Sequence, residues 1–328
     1  MAPAIKVAYA DELPTHTTRK RKASGGMELS QAKRPKGDPG TFNPKVQFVV
    51  KSSMFKDKKT NKKKKKAPKK KCKGVRRLTK QDIEFMKQGQ IIGQGSYGKV
   101  FKQTFEGKDV ILKLALKDSP VFEHAFRNEA EILQLVDGAG GAPRLLGQSM
   151  KPTALAQECI NGIRFLDTLR DSNVSDLDCH KIFLEMAIQL DEIHSKGIIH
   201  NDFKEDNILV ERNPNGEKKF ILHVIDFGLS CPTGMSPGLE CSSAKENERS
   251  IYAPEVRRPN GRCSPASDVY SFGVIFKRFL GCLNTQVPEE LENLADDATS
   301  KEVRLRPSLK EIIQTLTICL NDMEETDE

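Results

Sequence analysis

Three glycines stand at a spacing that suits phosphate: Gly93, Gly95 and Gly98, within Gly93-Gln94-Gly95-Ser96-Tyr97-Gly98-Lys99-Val100. Without a Cβ, backbone at such positions can approach phosphate oxygens closely. The same pattern serves a dinucleotide fold when it opens a helix, and it also serves a plain glycine-rich hairpin. Here the following residues, Val100-Phe101-Lys102-Gln103-Thr104-Phe105, are of strand type. That fits a strand–loop–strand cover over a nucleotide and not a helix-opening turn. Lys113 follows among apolar strand residues, Val110-Ile111-Leu112-Lys113. It is either a snorkelling surface lysine or a phosphate ligand. Glu129, in Phe126-Arg127-Asn128-Glu129, is a carboxylate that could hold that ammonium on phosphate oxygens. Most helical glutamates are simply solvated, and Glu131 offers a second carboxylate on the same helix.

A denser group lies further on: His200-Asn201-Asp202-Phe203-Lys204-Glu205-Asp206-Asn207, then Asp226-Phe227-Gly228. With these residues the sequence resembles the eukaryotic protein kinase family, from Ile91 through about Arg306. Seven motifs occur in order: the glycine loop, the strand lysine, the helix glutamate, the catalytic loop, Asp226-Phe227-Gly228, Ala253-Pro254-Glu255, and Asp268-Val269-Tyr270-Ser271-Phe272-Gly273. One could arise by chance; the ordered set hardly could.

The resemblance implies an ATP- and Mg²⁺-dependent transfer of the γ-phosphate to hydroxyls of protein substrates. Such transfer needs in-line positioning, a proton acceptor and charge neutralisation. Asp202 would orient the substrate hydroxyl and accept its proton, with Lys204 near the γ-phosphate. Asn207 and Asp226 would hold Mg²⁺ through hard oxygen ligands. Gly93, Gly95, Gly98 and Val100 would cover the nucleotide. Lys113 would grip the α/β-phosphates and Glu129 would position Lys113. Glu158 and Ile160 would form the hinge beside the adenine. Lys204, two residues after the aspartate, resembles the serine/threonine pattern. Glu255 is expected to pair with Arg306, and Asp268 to accept hydrogen bonds from the catalytic-loop backbone. The alternatives are a pseudokinase scaffold that binds protein partners, a nucleic-acid-associated protein acting through its basic tail, and a small-molecule kinase of similar fold.

Several positions depart from the family pattern. Asn201 replaces the arginine that normally pairs with a phosphate on the activation segment, and a neutral amide cannot do that. Activity is therefore expected not to depend strictly on phosphorylation of that segment. Ile111 stands where a small alanine is usual, and added volume there costs about 1–3 kcal/mol when a site is overpacked. Gln157 is a polar gatekeeper. The stretch between Asp268 and Arg306 is short, so a helix there is expected to be reduced or missing. Glu248-Arg249-Ser250-Ile251-Tyr252 replaces the usual glycine-threonine pattern.

The elements that must position these residues are legible in outline. Lys99–Phe105 and Lys108–Leu116 read as strands around a turn at Glu106-Gly107. Ala125–Val136 has helical apolar spacing. A second helix covers roughly His180–Lys196 and stops at Gly197. Strands first and helices after predict an α+β fold of two lobes, a small β-rich one and a larger helical one. The expected division is a disordered basic tail over 1–85, a protein kinase domain over 86–322 and an acidic tail over 323–328.

Charge separates the tail from the rest. Residues 1–85 carry 25 Lys+Arg against 7 Asp+Glu, and residues 86–328 carry 28 against 38. The tail buries too little apolar surface to offset its ordering entropy. Its basic clusters, Arg19–Lys22, Lys33–Lys36 and Lys58–Lys73, read as a nuclear import signal, with an import receptor as partner. A weak, salt-sensitive nucleic-acid contact through Lys58–Lys73 is a second expectation. Ser24, after Arg21-Lys22-Ala23, is a candidate self-phosphorylation site. Eight scattered cysteines with no Cys-x-x-Cys pair argue against a zinc site or a disulfide framework. No segment resembles a signal peptide or a membrane span of roughly 18–20 apolar residues. The expected location is the nucleus, otherwise the cytoplasm, with no membrane partner.

Overall fold

A computed structural model describes residues 75–95, 98–213, 216, 218–237, 250–258, 260–281, 283 and 287–327. The basic clusters, Ser24 and the loop residues Ser96 and Tyr97 lie outside the described residues.

Strand-forming residues build the first lobe. Strands β1 (Arg76–Arg77), β2 (Gln90–Gln94), β3 (Gly98–Phe105), β4 (Lys108–Ala115), β5 (Leu145–Met150) and β6 (Thr153–Glu158) form one sheet in the order β1-β5-β6-β4-β3-β2. β3 and β4 are antiparallel around the predicted turn, where Glu106 and Gly107 both take positive φ. Helix α2 (Pro120–Val136) packs on this sheet through β5 and β6. It starts five residues before the periodicity suggests. Ser119 caps it by accepting from the Phe122 N–H, and Pro120 presets the first turn.

The described residues from Val75 already belong to the folded unit, inside the stretch 1–85 expected from charge to be tail. β1 pairs in parallel with β5, and α1 (Lys80–Met86) closes the outer face of the sheet. Thr79 and Asp82 form a capping box, and Ile83 and Met86, three apart, point inward. They join Leu78, Phe101, Val110, Leu112, Ala154 and Ala156 in a small core. The basic composition of this stretch hid its amphipathic spacing. Ion pairs of Arg76 with Asp82 and Glu106 occupy part of that charge.

Helices dominate the second lobe. After β7 (Ile163–Arg164) and α3 (Phe165–Leu169) comes α4 (Asp176–Ser195), whose start is set by a Ser175–Asp178 capping box. Phe183 on α4 packs against Phe165 and against Phe272, Phe276 and Phe279 of α5 (Pro265–Leu280). β8 (Ile198–Ile199) pairs with β11 (Cys231–Pro232), while β9 (Ile208–Arg212) pairs with β10 (Phe220–Val224). These short pairs carry the loops that hold the chemistry.

The short stretch between Asp268 and Arg306, in which one helix is expected to be reduced or missing, holds α6 (Glu289–Ala298) among its described residues; it is ten residues long and buries Leu291, Leu294, Ala295 and Ala298. It lies close to α5 because of Gly273: a Cβ there would come within 2.6 Å of the Ala298 Cβ. The last helix, α7 (Leu309–Asp327), runs through most of the segment expected to be an acidic tail. Lys181 on α4 pairs with Glu324 at 2.6 Å, which ties that end down. Among the described residues no helix is long and apolar enough to cross a membrane.

Candidate active site

The glycine loop joins β2 and β3 as an antiparallel hairpin, so the helix-opening alternative does not apply. The Gly95 N–H donates to the Gly98 carbonyl at 2.9 Å. A Cβ on Gly98 would collide with the Leu114 carbonyl at 2.4 Å, whereas one on Gly95 would meet nothing within 4 Å. Gly98 thus serves close strand packing, whereas no described neighbour crowds Gly95. Gly93 lies where the β2–β3 register shifts, and Val100 stands opposite Lys113.

Lys113 is not a snorkelling lysine. Its Nζ donates to Glu129 Oε1 at 2.5 Å and to Asp226 Oδ1 at 2.8 Å. Glu129 sits on the buried face of α2, unlike a solvated helical glutamate. Burial disfavours the Lys113 ammonium, but Asp226 and Glu129 outweigh it and hold its pKa above the ordinary value. Burial pushes the Glu129 carboxyl up against the attraction of Lys113. Lys113, against the opposing effect of burial, holds the Asp226 carboxyl down at about 2. The triad therefore carries a fixed ammonium beside a firmly ionised carboxylate.

The catalytic-loop residues converge on Asp202. Its Oδ2 accepts from Lys204 Nζ at 2.8 Å and from Asn207 Nδ2 at 2.9 Å. The Asn207 amide also donates to the Asp202 carbonyl at 2.8 Å. A short 3₁₀ turn over Glu205–Asn207 makes this fold-back reachable. The two groups are joined through Ile225, whose N–H donates to the Asn207 carbonyl at 2.9 Å. The Ile225 carbonyl accepts from His200 Nε2 at 3.1 Å. His200 Nδ1 accepts from the Asp202 N–H at 3.3 Å, so these partners set the Nε2–H tautomer.

Supporting residues sit as expected and go further. Asp268, fully buried, accepts from the His200 and Asn201 N–H groups at 2.7 and 2.9 Å, and also meets His194 Nε2 at 2.9 Å. Arg306 and Glu255 form a two-pronged pair at 2.7 and 2.9 Å. Burial opposes the Glu255 carboxylate, yet Arg306 holds its pKa below the ordinary value.

Asn201 is buried with φ 61°, a left-handed conformation that asparagine tolerates better than most residues. Its Nδ2 lies 3.2 Å from the Ile199 carbonyl, 3.3 Å from the Leu229 carbonyl and 3.3 Å from Cys231 Sγ. It pins the catalytic loop to the chain that leaves Asp226-Phe227-Gly228. Cys231 and Cys263, separated in sequence, have their sulfurs 3.3 Å apart.

The hinge positions lie where β6 ends. The Glu158 carboxylate is turned to the Arg144 N–H at 3.1 Å, and its own N–H donates to the Arg144 carbonyl. Ile160 follows, half-buried. Ile111 and Gln157 are cross-strand partners on one sheet face, both buried.

One contact has no signal in the spacing. The Tyr252 hydroxyl donates to Asp202 Oδ1 at 2.7 Å. Fifty residues separate the two, and only the return of the chain past Ala253-Pro254-Glu255 brings them together.

Asn207 and Asp226 suit a hard divalent cation. One supplies an amide oxygen and the other an ionised carboxylate whose side chain remains 48% exposed. Bound there, Mg²⁺ would neutralise charge on phosphate oxygens.

A two-lobed α+β fold with a lysine–glutamate–aspartate triad facing an aspartate–lysine–asparagine loop defines a phosphotransferase architecture. The comparisons agree. Residues 86–285 match the protein kinase domain family, and the chain belongs to it. It is 24% identical to a probable LIM domain-containing serine/threonine-protein kinase of Dictyostelium discoideum, over 96% of this chain and 34% of that one. It is 27% identical to CBL-interacting protein kinase 24 of Oryza sativa subsp. japonica, over 65% of this chain and 47% of that one. It is 26% identical to serine/threonine-protein kinase pkn2 of Myxococcus xanthus, over 71% of this chain and 29% of that one. The chain thus spans between about a third and a half of these relatives' lengths.

Proposed function

We propose that this protein transfers the γ-phosphate of ATP to serine and threonine hydroxyls of protein substrates, with Mg²⁺. The carrying observation is the paired constellation: Lys113 held by Glu129 and Asp226, and Asp202 held by Lys204 and Asn207. Each group meets one demand of phosphoryl transfer: phosphate grip, metal ligation, proton acceptance and charge offset. The serine/threonine preference draws on Lys204 and on the names of the relatives.

Labelled ATP with Mg²⁺ and generic protein substrates tests the reading against the Asp202→Asn variant. Equal incorporation by both would remove it. A scaffold without transfer is favoured by one observation, the bulky Ile111 paired across the sheet with polar Gln157 just ahead of the hinge. That reading predicts no Mg²⁺-ATP-dependent thermal stabilisation.

The basic runs of residues 1–74 support a nuclear address and an import receptor as partner. A fluorescent fusion lacking Lys58–Lys73 that still accumulates in nuclei would count against that run as the signal.

A further inference from the structure

Cys231 and Cys263 stand 32 positions apart in the chain, yet their sulfurs lie 3.3 Å apart. Cys231 is on β11, just past Asp226-Phe227-Gly228, and Cys263 precedes α5. Both are free, buried thiols in one apolar group with Ile199, Ala253 and Val256. The sulfurs of a disulfide lie about 2.0 Å apart, so bonding requires an approach of about 1.3 Å.

The backbone around the pair is already joined. The Cys263 N–H donates to the Met235 carbonyl and the Gly234 N–H to the Cys263 carbonyl, each at 2.9 Å. Arg262 Nη1 donates to the Gly234 carbonyl at 2.8 Å. These bonds hold the two segments side by side, which puts the remaining gap within reach of small side-chain rotations. Asn201 Nδ2, 3.3 Å from Cys231 Sγ, links the pair to the catalytic loop. Pro232, Thr233 and Arg262 are exposed, so the pair lies one residue beneath the surface. The hydrogen bond between the sulfurs lowers the Cys263 thiol to about 7 against the effect of burial, while Cys231 is raised. The pair therefore yields one thiolate near neutral pH, the form that attacks an electrophile.

We propose that Cys231 and Cys263 are a modification site: a dithiol that a hydroperoxide oxidises to a reversible disulfide, stapling the chain that leaves Asp226-Phe227-Gly228 to the start of α5. Such a site does not require phosphate transfer, so it stands apart from the kinase reading. The thiolate attacks one peroxide oxygen and the O–O bond breaks. The other oxygen leaves with the bonding pair and takes up the proton that the pair released. The second sulfur then attacks the sulfenic acid so formed: an S–S bond forms, the S–O bond breaks, and the leaving hydroxide carries off the second thiol's proton as water. With hydrogen peroxide, two thiols and one peroxide become one disulfide and two waters; sulfur is oxidised and peroxide oxygen is reduced.

The test uses the full chain, reduced, desalted and then treated with hydrogen peroxide. Non-reducing peptide mapping by mass spectrometry should find a peptide pair joined through Cys231 and Cys263, and dithiothreitol should separate it. The thermal midpoint of the oxidised chain should rise by about 5 °C over the reduced chain, because the bond closes a long loop of the unfolded chain. Cys231→Ser and Cys263→Ser should each lose that rise, with circular dichroism checking their fold. The crosslink is read in the wild-type chain, so a variant that fails to fold leaves the test intact. Both cysteines still open to alkylation in denaturant after peroxide, or either one joined to a different cysteine, overturns the proposal. A Cys231–Cys263 bond that dithiothreitol does not remove, or that fails to raise the midpoint, also overturns it.

Discussion

Lys113 on β4 and Asp226 in the loop after β10 are 113 residues apart, yet Nζ and Oδ1 lie 2.8 Å apart. This bond ties the sheet lobe to the helical lobe at the point where phosphate would sit. Glu129 completes the arrangement from α2.

Replacing Lys113 by Met should lower the turnover of transfer by about two to three orders of magnitude, the range for removing one preorganised charge-stabilising donor. Glu129 would then lose its partner while buried. Burial already pushes its carboxyl up, and removing the ammonium removes the attraction that opposes burial, which further favours the uncharged form. The fold should therefore survive. Circular dichroism checks the fold, and steady-state kinetics with Mg²⁺-ATP checks the loss.

Asp226 gives a pH prediction. Its carboxyl is lowered from 3.8 to about 2, chiefly by Lys113. A carboxyl depressed in the folded state contributes stability above its unfolded pKa and loses it as pH falls through the folded value. The contribution should fade between about pH 4 and pH 2. Asp226→Asn should lose less stability over that window than wild type, in urea titrations at fixed pH. An equal loss would show that the Lys113 pairing does not stabilise the fold.

Arg306 has a fully buried side chain, and besides Glu255 it donates to the Ser300 and Ala266 carbonyls, each at 2.8 Å. Its guanidinium also lies 5.0 Å from the Tyr270 ring centre. Arg306→Ala strands a largely buried carboxylate and two carbonyls. The expected cost is about 3–5 kcal/mol, the range for breaking a buried pair by removing one partner. Denaturant unfolding monitored by fluorescence or circular dichroism measures it.

Restoring the family's arginine at Asn201 should not restore family-like control. The position is buried, has positive φ and donates to Ile199 and Leu229. Arg in place of Asn201 should cost about 2–3 kcal/mol, from backbone strain and lost buried hydrogen bonds. Its thermal midpoint should fall, and phosphatase treatment should change its activity no more than that of wild type.

Much of the site was legible before any coordinates. Asp202, Lys204 and Asn207 lie within a few residues of one another, so one loop must carry them together. The Gly93–Val100 run declared its hairpin through the strand-type residues that follow. The pairing of Glu255 with Arg306 was legible only by resemblance, because nothing in the chain between them measures the distance.

The boundaries were less legible. Charge dominated the reading of residues 75–86, although the Thr79–Asp82 box and the Ile83–Met86 spacing were present in the residues. The bounds of helix α6 depend on packing, while its Leu291, Leu294, Ala295 and Ala298 spacing encodes a buried face.

The sequence by itself determined the order of the elements, the two-lobed class and the residue types of the catalytic loop. These follow from local propensity and short-range spacing. Only tertiary structure decided that Glu129 and not Glu131 meets Lys113, that Cys231 touches Cys263, and that Tyr252 covers Asp202. Those contacts depend on how distant segments return to one point, and that is set by the packing of α5 and the short β8–β11 pair. A linear pattern records which groups are present; the packed fold decides which of them share a hydrogen bond.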